Sequence, residues 1–392
     1  MASIQARFRK MAIGRKVLLL VLVVGLVPLC IGTLFSYYEG RRALESAMTS
    51  FGESRESDVL EDMEAIRATK AAQIHDLFQT IHDQAATLSK DKMVVDAMRD
   101  LSREFHAYRR NARVDGGELD FRRQGVQAYW QNQFAAELRK RGDTTGAEGR
   151  VGMLDDDSIA LQQVFVAANP YPIGSKKMLD ASPAASSYER VHAAVHPILR
   201  DYLDRFGYYD IFLIDAATGD VVYTVDKELD FATSLVDGPW AQTNLARVFQ
   251  EASRASDPNA VAIVDFERYA PSYGEPAGFV ASPIYDGREK IGVLAFQIPL
   301  DRISALMNDR TGLGETGEAY LVGADGLMRS DSYRDPEHHG VIRNNVVWND
   351  NPWFDTGIEL DETKEPHVFF NTVLHGSGAS DRDEVSSALP FD

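Results

Sequence analysis

Three glycines in the stretch GLGETGEAYLVGADGLMRSDS have the spacing of a phosphate-binding loop. Gly312, Gly314 and Gly317 spell G-x-G-x-x-G, a pattern that holds a dinucleotide pyrophosphate when a strand precedes it and a helix follows. Here the order is reversed, because residues 300–309 read as a short helix and residues 318–330 as a strand, an Asp-Gly turn and a second strand. We therefore expect the glycines to end a helix and begin a strand, without binding phosphate.

Histidines are the other residues with the potential for chemistry. His192 and His196 are one helical turn apart and could share a metal, but the glutamate of an H-E-x-x-H motif and a third ligand are missing. His338 and His339, in DPEHHG, read better as an exposed loop than as a catalytic cluster. The only cysteine, Cys30, lies in an apolar run, and no G-x-S-x-G motif occurs. We expect no metal, no cofactor and no enzymatic activity.

Charge separates the start of the chain from the rest. The 392 residues have a net charge of -18 at pH 7, which argues against a nucleic-acid partner because phosphate binding needs a surplus of Lys and Arg. The acidic excess begins after residue 42, and the chain before it is basic. Such a division predicts two environments for one chain.

An uncharged apolar run, Val17–Tyr38, predicts a transmembrane helix. Its 22 residues span ~33 Å at the helical rise, about the thickness of a bilayer core. Residues 1–16 form a basic tail, so we expect that tail in the cytoplasm and the bulk of the chain outside the cell membrane. A cleaved signal peptide is the alternative, although this apolar run is longer than usual and no clean small-x-small site follows.

A helical region follows the apolar run, over residues 39–206. Apolar residues recur at helical spacing from Leu60 to Leu88, with no proline between Glu39 and Lys90. A helix over residues 40–90 would be ~75 Å long and needs a partner, so we expect a homodimer formed through this stalk.

The periodicity changes at Gly207 to that of a sheet. Residues 207–300 read as two strands joined by a hairpin, an amphipathic helix and three further strands, the last two joined by Asp286-Gly287. This order predicts an α+β fold: a PAS-like antiparallel sheet with helices on one face and a pocket between them. Residues 301–392 read as the start of a second, incomplete PAS-like module with an irregular tail.

Two stretches carry a resemblance to a known family. FERYAPSYGEPAGFVASPIYDGREKIGVLAFQIPLDRISALM and GLGETGEAYLVGADGLMRSDS resemble the double Cache (dCache) sensor domain of bacterial transmembrane receptors, most like methyl-accepting chemotaxis proteins. The resemblance implies a distal ligand-binding module over residues 207–300 and a proximal module after it. The second transmembrane helix, HAMP linker and output domain of that family have no counterpart here, which predicts that the sequence is part of a longer protein.

The resemblance also implies that a small molecule lies on the sheet face of the distal module. Asp265 could accept hydrogen bonds from an ammonium group, Tyr269 and Tyr273 could cage a cation, and Trp240 and Asn244 could close the site. The ligand class stays open among amino acids, amines and small carboxylates. The predicted ligand-binding residues are Asp265, Tyr269, Ser272, Tyr273, Phe279, Ser282, Trp240 and Asn244.

Several functions fit these observations. The first is the extracytoplasmic sensor of a chemotaxis receptor, in which a ligand shifts the distal module. The same sensor could serve a membrane-bound cyclase or histidine kinase. An anchored extracytoplasmic hydrolase and a dimerising stalk that binds no ligand are the remaining alternatives.

Overall fold

The computed structural model divides the chain into two compact units, residues 1–65 and residues 66–392. Each unit is described by itself. The structure describes residues 12–142, 145–182, 186–298, 300–314, 317–323, 328–331, 333, 367–375 and 382–390.

The first helix, α1, runs over Ile13–Leu88. It contains both the predicted transmembrane run Val17–Tyr38 and the predicted stalk. The side chains of that run are exposed over nearly its whole length. Among the described helices, α1 is long and apolar enough to cross a membrane, as judged by length and composition alone.

Short helices follow, as the sequence predicts for this region. This helical region is interrupted by the π-helical turn Tyr129–Phe134, in which Tyr129, Trp130 and Phe134 are buried in the core. The helices are α2 (Lys92–His106), α3 (Tyr108–Ala112), α4 (Gly116–Ala128), α5 (Ala135–Lys140), α6 (Asp156–Gln162) and α7 (Ser187–Phe206), with a second π-helical turn at Gln163–Ala167 and 3-10 turns at Ala147–Met153 and Lys176–Met178.

A five-stranded sheet follows in the order β2-β1-β5-β4-β3, and every neighbouring pair is antiparallel. This arrangement confirms the predicted α+β fold, including the hairpin between the first two strands and the tight turn at Gly287, whose φ is 64°. The elements are β1 (Asp210–Asp215), β2 (Val221–Thr224), α8 (Asn244–Arg254), β3 (Ala262–Tyr269), β4 (Glu275–Asp286) and β5 (Glu289–Gln297).

Register assigns the side chains of the sheet to two faces. Asp210 on β1 lies opposite Gln297 on β5, which lies opposite Phe279 on β4. Residues directly opposite in an antiparallel pair share a face, so these three side chains form one row. The next row, with Phe296 at its centre, points to the other face, where its ring stacks on Tyr208 at 4.2 Å between centroids.

The glycine-rich stretch connects a helix to a strand. Helix α9 (Leu300–Met307) precedes it and strand β6 (Glu318–Val322) follows it. Gly312 and Gly314 have φ values of 85° and 64°, the left-handed conformation that glycine adopts without strain. The predicted role of these glycines as a turn is thereby confirmed. Strand β6 pairs with β7 (His367–His375), which pairs with β8 (Arg382–Pro390).

Packing of α2 on the sheet makes Gly292 on β5 sensitive to substitution. A Cβ at Gly292 would lie 2.5 Å from Met98 Sδ and 3.0 Å from the carbonyl oxygen of Ile214, and Met98 is fully buried. We expect Gly292→Ala to lower the free energy of unfolding by about 1–3 kcal/mol through overpacking, as measured by urea denaturation. Gly117→Ala is the matched control, because nothing lies within 4 Å of its added Cβ. Equal stabilities of the two variants would contradict this packing.

Candidate functional site

A run of charged residues, D-K-E-L-D, follows β2 and is buried. Asp226, Lys227, Glu228 and Asp230 are each less than 9% exposed. Acidic and basic side chains are almost never this buried unless they are paired or have a function. The segment Asp226–Asp230 therefore marks the candidate site.

The carboxylate of Asp210 anchors this segment to the sheet. Its Oδ1 accepts hydrogen bonds from the backbone N–H groups of Val225 and Asp226, at 2.8 and 3.0 Å, and from that of Ile211 at 2.7 Å. Burial, followed by the nearby charges of Asp230 and Asp226, raises the pKa of Asp210 well above its usual value. The start of the segment is thus fixed against β1.

Two more carboxyl groups connect the segment to the end of β3 and to the loop that follows it. Tyr269 Oη donates to Asp230 Oδ2 at 2.7 Å, and Ser272 Oγ donates to Glu228 Oε2 at 2.6 Å. Tyr209 Oη donates to the other oxygen of Glu228 at 2.9 Å. We refer to Asp210, Glu228 and Asp230 as the acidic cluster.

Burial is the largest cause of the shifted pKa values in the acidic cluster. It raises the pKa of Asp230 to about 7, against a lowering effect of the Tyr269 hydrogen bond. Burial also raises the pKa of Glu228 well above its usual value, and the charges of Asp226 and Asp230 add to the effect. Since the three groups are close enough to repel one another as anions, the site has a strong excess of acid.

Lys227 lies beside the acidic cluster but is already engaged. Its Nζ donates to the carbonyl oxygen of Thr224 and lies 4.5 Å from the ring centroid of Tyr223 and 5.6 Å from that of Phe231. Burial lowers the pKa of Lys227 to about 7, although Asp210 and Asp226 oppose the shift. The carbonyl and the two aromatic faces therefore hold the ammonium group at the edge of the site.

Two stacked histidines lie on the far side of Lys227. The rings of His192 and His196 are 4.5 Å apart. Both nitrogens of His196 have partners at 2.7 Å, the hydroxyl of Tyr223 and the carbonyl oxygen of Lys177. Within the described ranges, no group of three or more His, Cys, Asp and Glu side chains has the arrangement of a metal site.

Aromatic side chains hold the acidic segment from outside. The Trp240 indole is stacked on Trp130 at 5.7 Å, and its N–H donates to the carbonyl oxygen of Leu229 at 2.8 Å. Gln162 Nε2 donates to the carbonyl oxygens of Leu229 and Phe231, at 3.1 and 2.8 Å. These hydrogen bonds therefore hold the backbone of the segment and do not involve its carboxyl groups.

Backbone strain is concentrated at this site. In the described part of the chain, three residues other than glycine have a left-handed backbone: Arg113, Ala232 and Tyr273. Ala232 follows the acidic segment by two residues, and Tyr273 is next to Ser272. Such conformations cost about 1–3 kcal/mol each and gather at functional sites.

Four buried oxygen atoms on the cluster side have no hydrogen-bond partner among the described residues. They are Asp210 Oδ2, Asp230 Oδ1, Thr224 Oγ1 and Gln297 Oε1. Thr224 lies opposite Phe212 on β1, and Gln297 lies opposite Asp210, so register places three of the four on one sheet face. A buried polar oxygen without a partner costs about 1–3 kcal/mol, so these four atoms are the candidates for contact with a bound group.

Several of the predicted ligand-binding residues meet at the acidic cluster. Tyr269 and Ser272 donate to it directly. The ring of Phe279 lies 5.0 Å from that of Tyr269, and Tyr273 lies under the guanidinium of Arg141 at 5.2 Å. Trp240 holds the acidic segment, as described above. These five positions remain proposals for ligand contact.

The other three predicted positions lie elsewhere. Asp265 is 59% exposed in its side chain and forms a two-pronged ion pair with Arg329, at 2.9 and 3.0 Å. Asn244 Nδ2 donates to the carbonyl oxygens of Asp265 and Ala277, which ties α8 to the sheet. Ser282 points to the opposite sheet face, where its Oγ lies 3.0 Å from Ser89 Oγ.

The acidic cluster itself was not predicted from the sequence. Asp210 is the one charged side chain inside the buried run from Asp210 to Ile214, and D-K-E-L-D follows a fully buried strand. A concentration of charge directly after an apolar strand is the signal that could have identified it. The hairpin pattern of that region fits a plain surface turn equally well, so the sequence alone did not distinguish the two.

The raised pKa of Asp230 predicts a pH-dependent stability. A carboxyl group whose pKa is higher in the folded protein keeps a proton that the unfolded chain releases, so its contribution to the free energy of unfolding falls as pH rises from about 4 to about 7. We expect Asp230→Asn to stabilise the ligand-free protein at pH 8 by up to about 4 kcal/mol relative to its effect at pH 4. Urea denaturation at both values measures this, and a pH-independent difference would contradict it.

The buried histidines predict the opposite slope. Burial, with the charge of Lys227, lowers the pKa of His196 to about 2. Below pH 6.5 the unfolded chain therefore takes up a proton that the folded protein does not, and stability falls as pH decreases. We expect His196→Gln to remove about 2 kcal/mol of the wild-type loss between pH 7 and pH 5. His75→Gln, on an exposed face of α1, is the control, and identical profiles for both variants would refute the assignment.

Solved structures similar to the chain are ligand-binding domains of bacterial chemoreceptors. The domain of Pseudomonas fluorescens CtaA, in complex with L-serine, has 15% identity and a TM-score of 0.30, with 69% of this chain and 93% of that chain covered. The domain of Pseudomonas aeruginosa PAO1 PctC, in complex with GABA, has 15% identity and a TM-score of 0.31, with coverages of 50% and 79%. The domain of Mlp24, with asparagine, has 12% identity and a TM-score of 0.30, with coverages of 69% and 95%. No protein-family model and no curated protein matches the sequence. With these scores, no residue role and no ligand is transferred to the chain.

Proposed function

We propose that the chain is the extracytoplasmic ligand-sensing region of a bacterial membrane receptor, and that it binds a small organic molecule at the acidic cluster. The observation that carries this proposal is the burial of three carboxyl groups with two oxygens, Asp210 Oδ2 and Asp230 Oδ1, that have no donor among the described residues. Buried groups of this kind destabilise a protein unless something binds them.

The chemistry of the cluster favours binding over catalysis. Ser272 is the serine that donates to the acidic cluster, since its Oγ donates to Glu228. Burial raises the pKa of Glu228 well above its usual value, which favours the protonated form, and a protonated carboxyl group is a poor acceptor for the serine proton. An anchored hydrolase is therefore the weaker alternative.

Sensing requires that the ligand stabilise one of two conformations of the chain. The site meets a physical condition for this, because it joins β1, the segment Asp226–Asp230 and the loop at Ser272 through side chains. Ala232 and Tyr273 add left-handed backbone on either side. A ligand that adds bonds across these elements would change their relative stability.

The membrane arrangement is part of the proposal. The apolar run Val17–Tyr38 would cross the cell membrane, with the basic residues 1–16 inside and the remainder outside. A homodimer would form through the stalk. The resemblance of the sequence to chemotaxis receptors favours chemotaxis signalling as the output of the receptor. A membrane-bound cyclase or histidine kinase is the alternative.

Two serines provide a matched test of the site. We expect Ser272→Ala to reduce the rise in melting temperature caused by a ligand, because Ser272 donates to Glu228 in the acidic cluster. Ser282→Ala should leave that rise unchanged, because Ser282 lies on the opposite sheet face against Ser89. Thermal shift of the full chain in detergent, screened against amino acids, amines and organic acids, supplies the ligand and the readout.

Two results would contradict the proposed function. The first is a complete screen in which no compound raises the melting temperature of the wild-type chain. The second is a loss of the ligand response in Ser282→Ala with a full response in Ser272→Ala, which would place the binding surface on the other face of the sheet.

A further inference from the structure

The cations around the acidic cluster are already used, which bears on the class of ligand. This step rests on the proposed function. Lys227 is held by the carbonyl oxygen of Thr224, and Lys176 Nζ donates to the carbonyl oxygen of Val166 at 2.6 Å. Arg141 bonds Glu137 at 2.9 Å and Glu275 at 3.2 Å. In the described part of the chain, each of these bordering basic groups thus has a partner of its own.

The acceptors at the cluster outnumber the donors. Asp210 Oδ2, Asp230 Oδ1 and Gln297 Oε1 are buried acceptors without a donor, and Thr224 Oγ1 is a fourth buried oxygen without a partner. A primary ammonium group carries three N–H donors and a positive charge. Its three donors therefore match the three acceptors in number, and its positive charge would favour the ionised forms of Asp210 and Asp230 over the protonated forms that burial favours.

Aromatic faces complete the surroundings of such a group. Tyr269 donates its hydroxyl to Asp230 and directs its ring toward Phe279. Tyr273 lies next to Phe134, with ring centroids 5.8 Å apart. The electron-rich faces of tyrosine rings stabilise a nearby organic cation, whereas they offer nothing to an anion.

We propose that the acidic cluster recognises a primary amine without a carboxylate, with its ammonium group bound by Asp210, Asp230 and Gln297. The α-carboxylate of an amino acid would enter a buried site that contains three carboxyl groups. Its recognition requires a basic group, typically an arginine that makes two parallel hydrogen bonds, and the bordering arginine, Arg141, is held by Glu137 and Glu275. The carboxylate would therefore lose its hydration without a replacement.

Matched compounds test the ligand class directly. Each series consists of an amino acid, the amine left when its carboxylate is removed and the acid left when its ammonium is removed. Suitable series are L-alanine, ethylamine and propionate, and L-phenylalanine, phenethylamine and 3-phenylpropionate. Thermal shift and calorimetric titration of the full chain in detergent give the affinity of each compound.

We expect the amine of at least one series to bind at least ten times more tightly than its parent amino acid, and the acid not to bind. Asp230→Asn should weaken amine binding at least tenfold, since the amide removes the negative charge. Asp265→Asn, which changes a carboxylate of the exposed ion pair with Arg329, is the matched control and should leave the affinity unchanged.

The outcomes separate this inference from the proposed function. An amino acid or an acid that binds as well as its matched amine would overturn the amine assignment and leave a ligand-sensing site in place. Equal loss of affinity in Asp230→Asn and Asp265→Asn would also overturn it, by placing the ammonium group outside the cluster. A chain that responds to none of these compounds and to none of the broader screen would overturn both.

Discussion

The hydrogen bonds of one carboxylate oxygen, Asp210 Oδ1, determine the arrangement of the whole site. This oxygen accepts from the backbone N–H groups of Ile211, Val225 and Asp226, so the chain leaving β2 must turn over the end of the sheet. That turn brings Asp230 within reach of the hydroxyl of Tyr269, at the end of β3, and Glu228 within reach of the hydroxyl of Ser272, in the loop that follows. One oxygen accepts all three of these bonds, and the second oxygen of Asp210 is buried without a partner among the described residues.

The site is maintained at the expense of stability. Buried carboxyl groups make the folded state less stable as pH rises toward 7, whereas the buried histidines make it less stable as pH falls below 6.5. The two effects therefore oppose each other between about pH 4 and about pH 6.5. Natural proteins break the rules of a well-packed core chiefly at functional sites, and here the violations lie on adjoining sides of Lys227.

Local pattern was sufficient for most of the fold. Alternation and turn residues predicted the strands of the sheet and the turn at Gly287, and helix-before-strand order excluded a phosphate loop at Gly312. The two π-helical turns could not be predicted in this way, because such a change of helical register forms only where tertiary packing stabilises it. Pairing partners and strand order depend on contacts between distant residues, which periodicity does not encode.

At the candidate site too, local pattern predicts some features, and others depend on the register between strands. Alternation back from Tyr269 places Asp265 on the same face, but the register shifts between Val264 and Glu267. This bulge puts Val264, opposite Phe279, on that face instead and leaves Asp265 to pair with Arg329. Ser282 is one of the predicted ligand-binding residues. It lies three residues after Phe279 on β4, so alternation puts the two side chains on opposite faces of the sheet. The extra residue in the β3 bulge therefore decides the face on which Asp265 lies. The alternation of side chains along β4 decides the face on which Ser282 lies.

Lys227 connects the acidic cluster to the buried histidines. Burial lowers its pKa, and Asp210 and Asp226 oppose that shift, so its protonation depends on the charge of these two neighbouring carboxyl groups. The proposed ammonium ligand, bound at Asp210, would weaken the attraction of that carboxyl group for the charged form of Lys227. Lys227 lies against Tyr223, whose hydroxyl is bonded to His196 on α7. These contacts connect the cluster to a helix that makes no direct hydrogen bond to its three carboxyl groups.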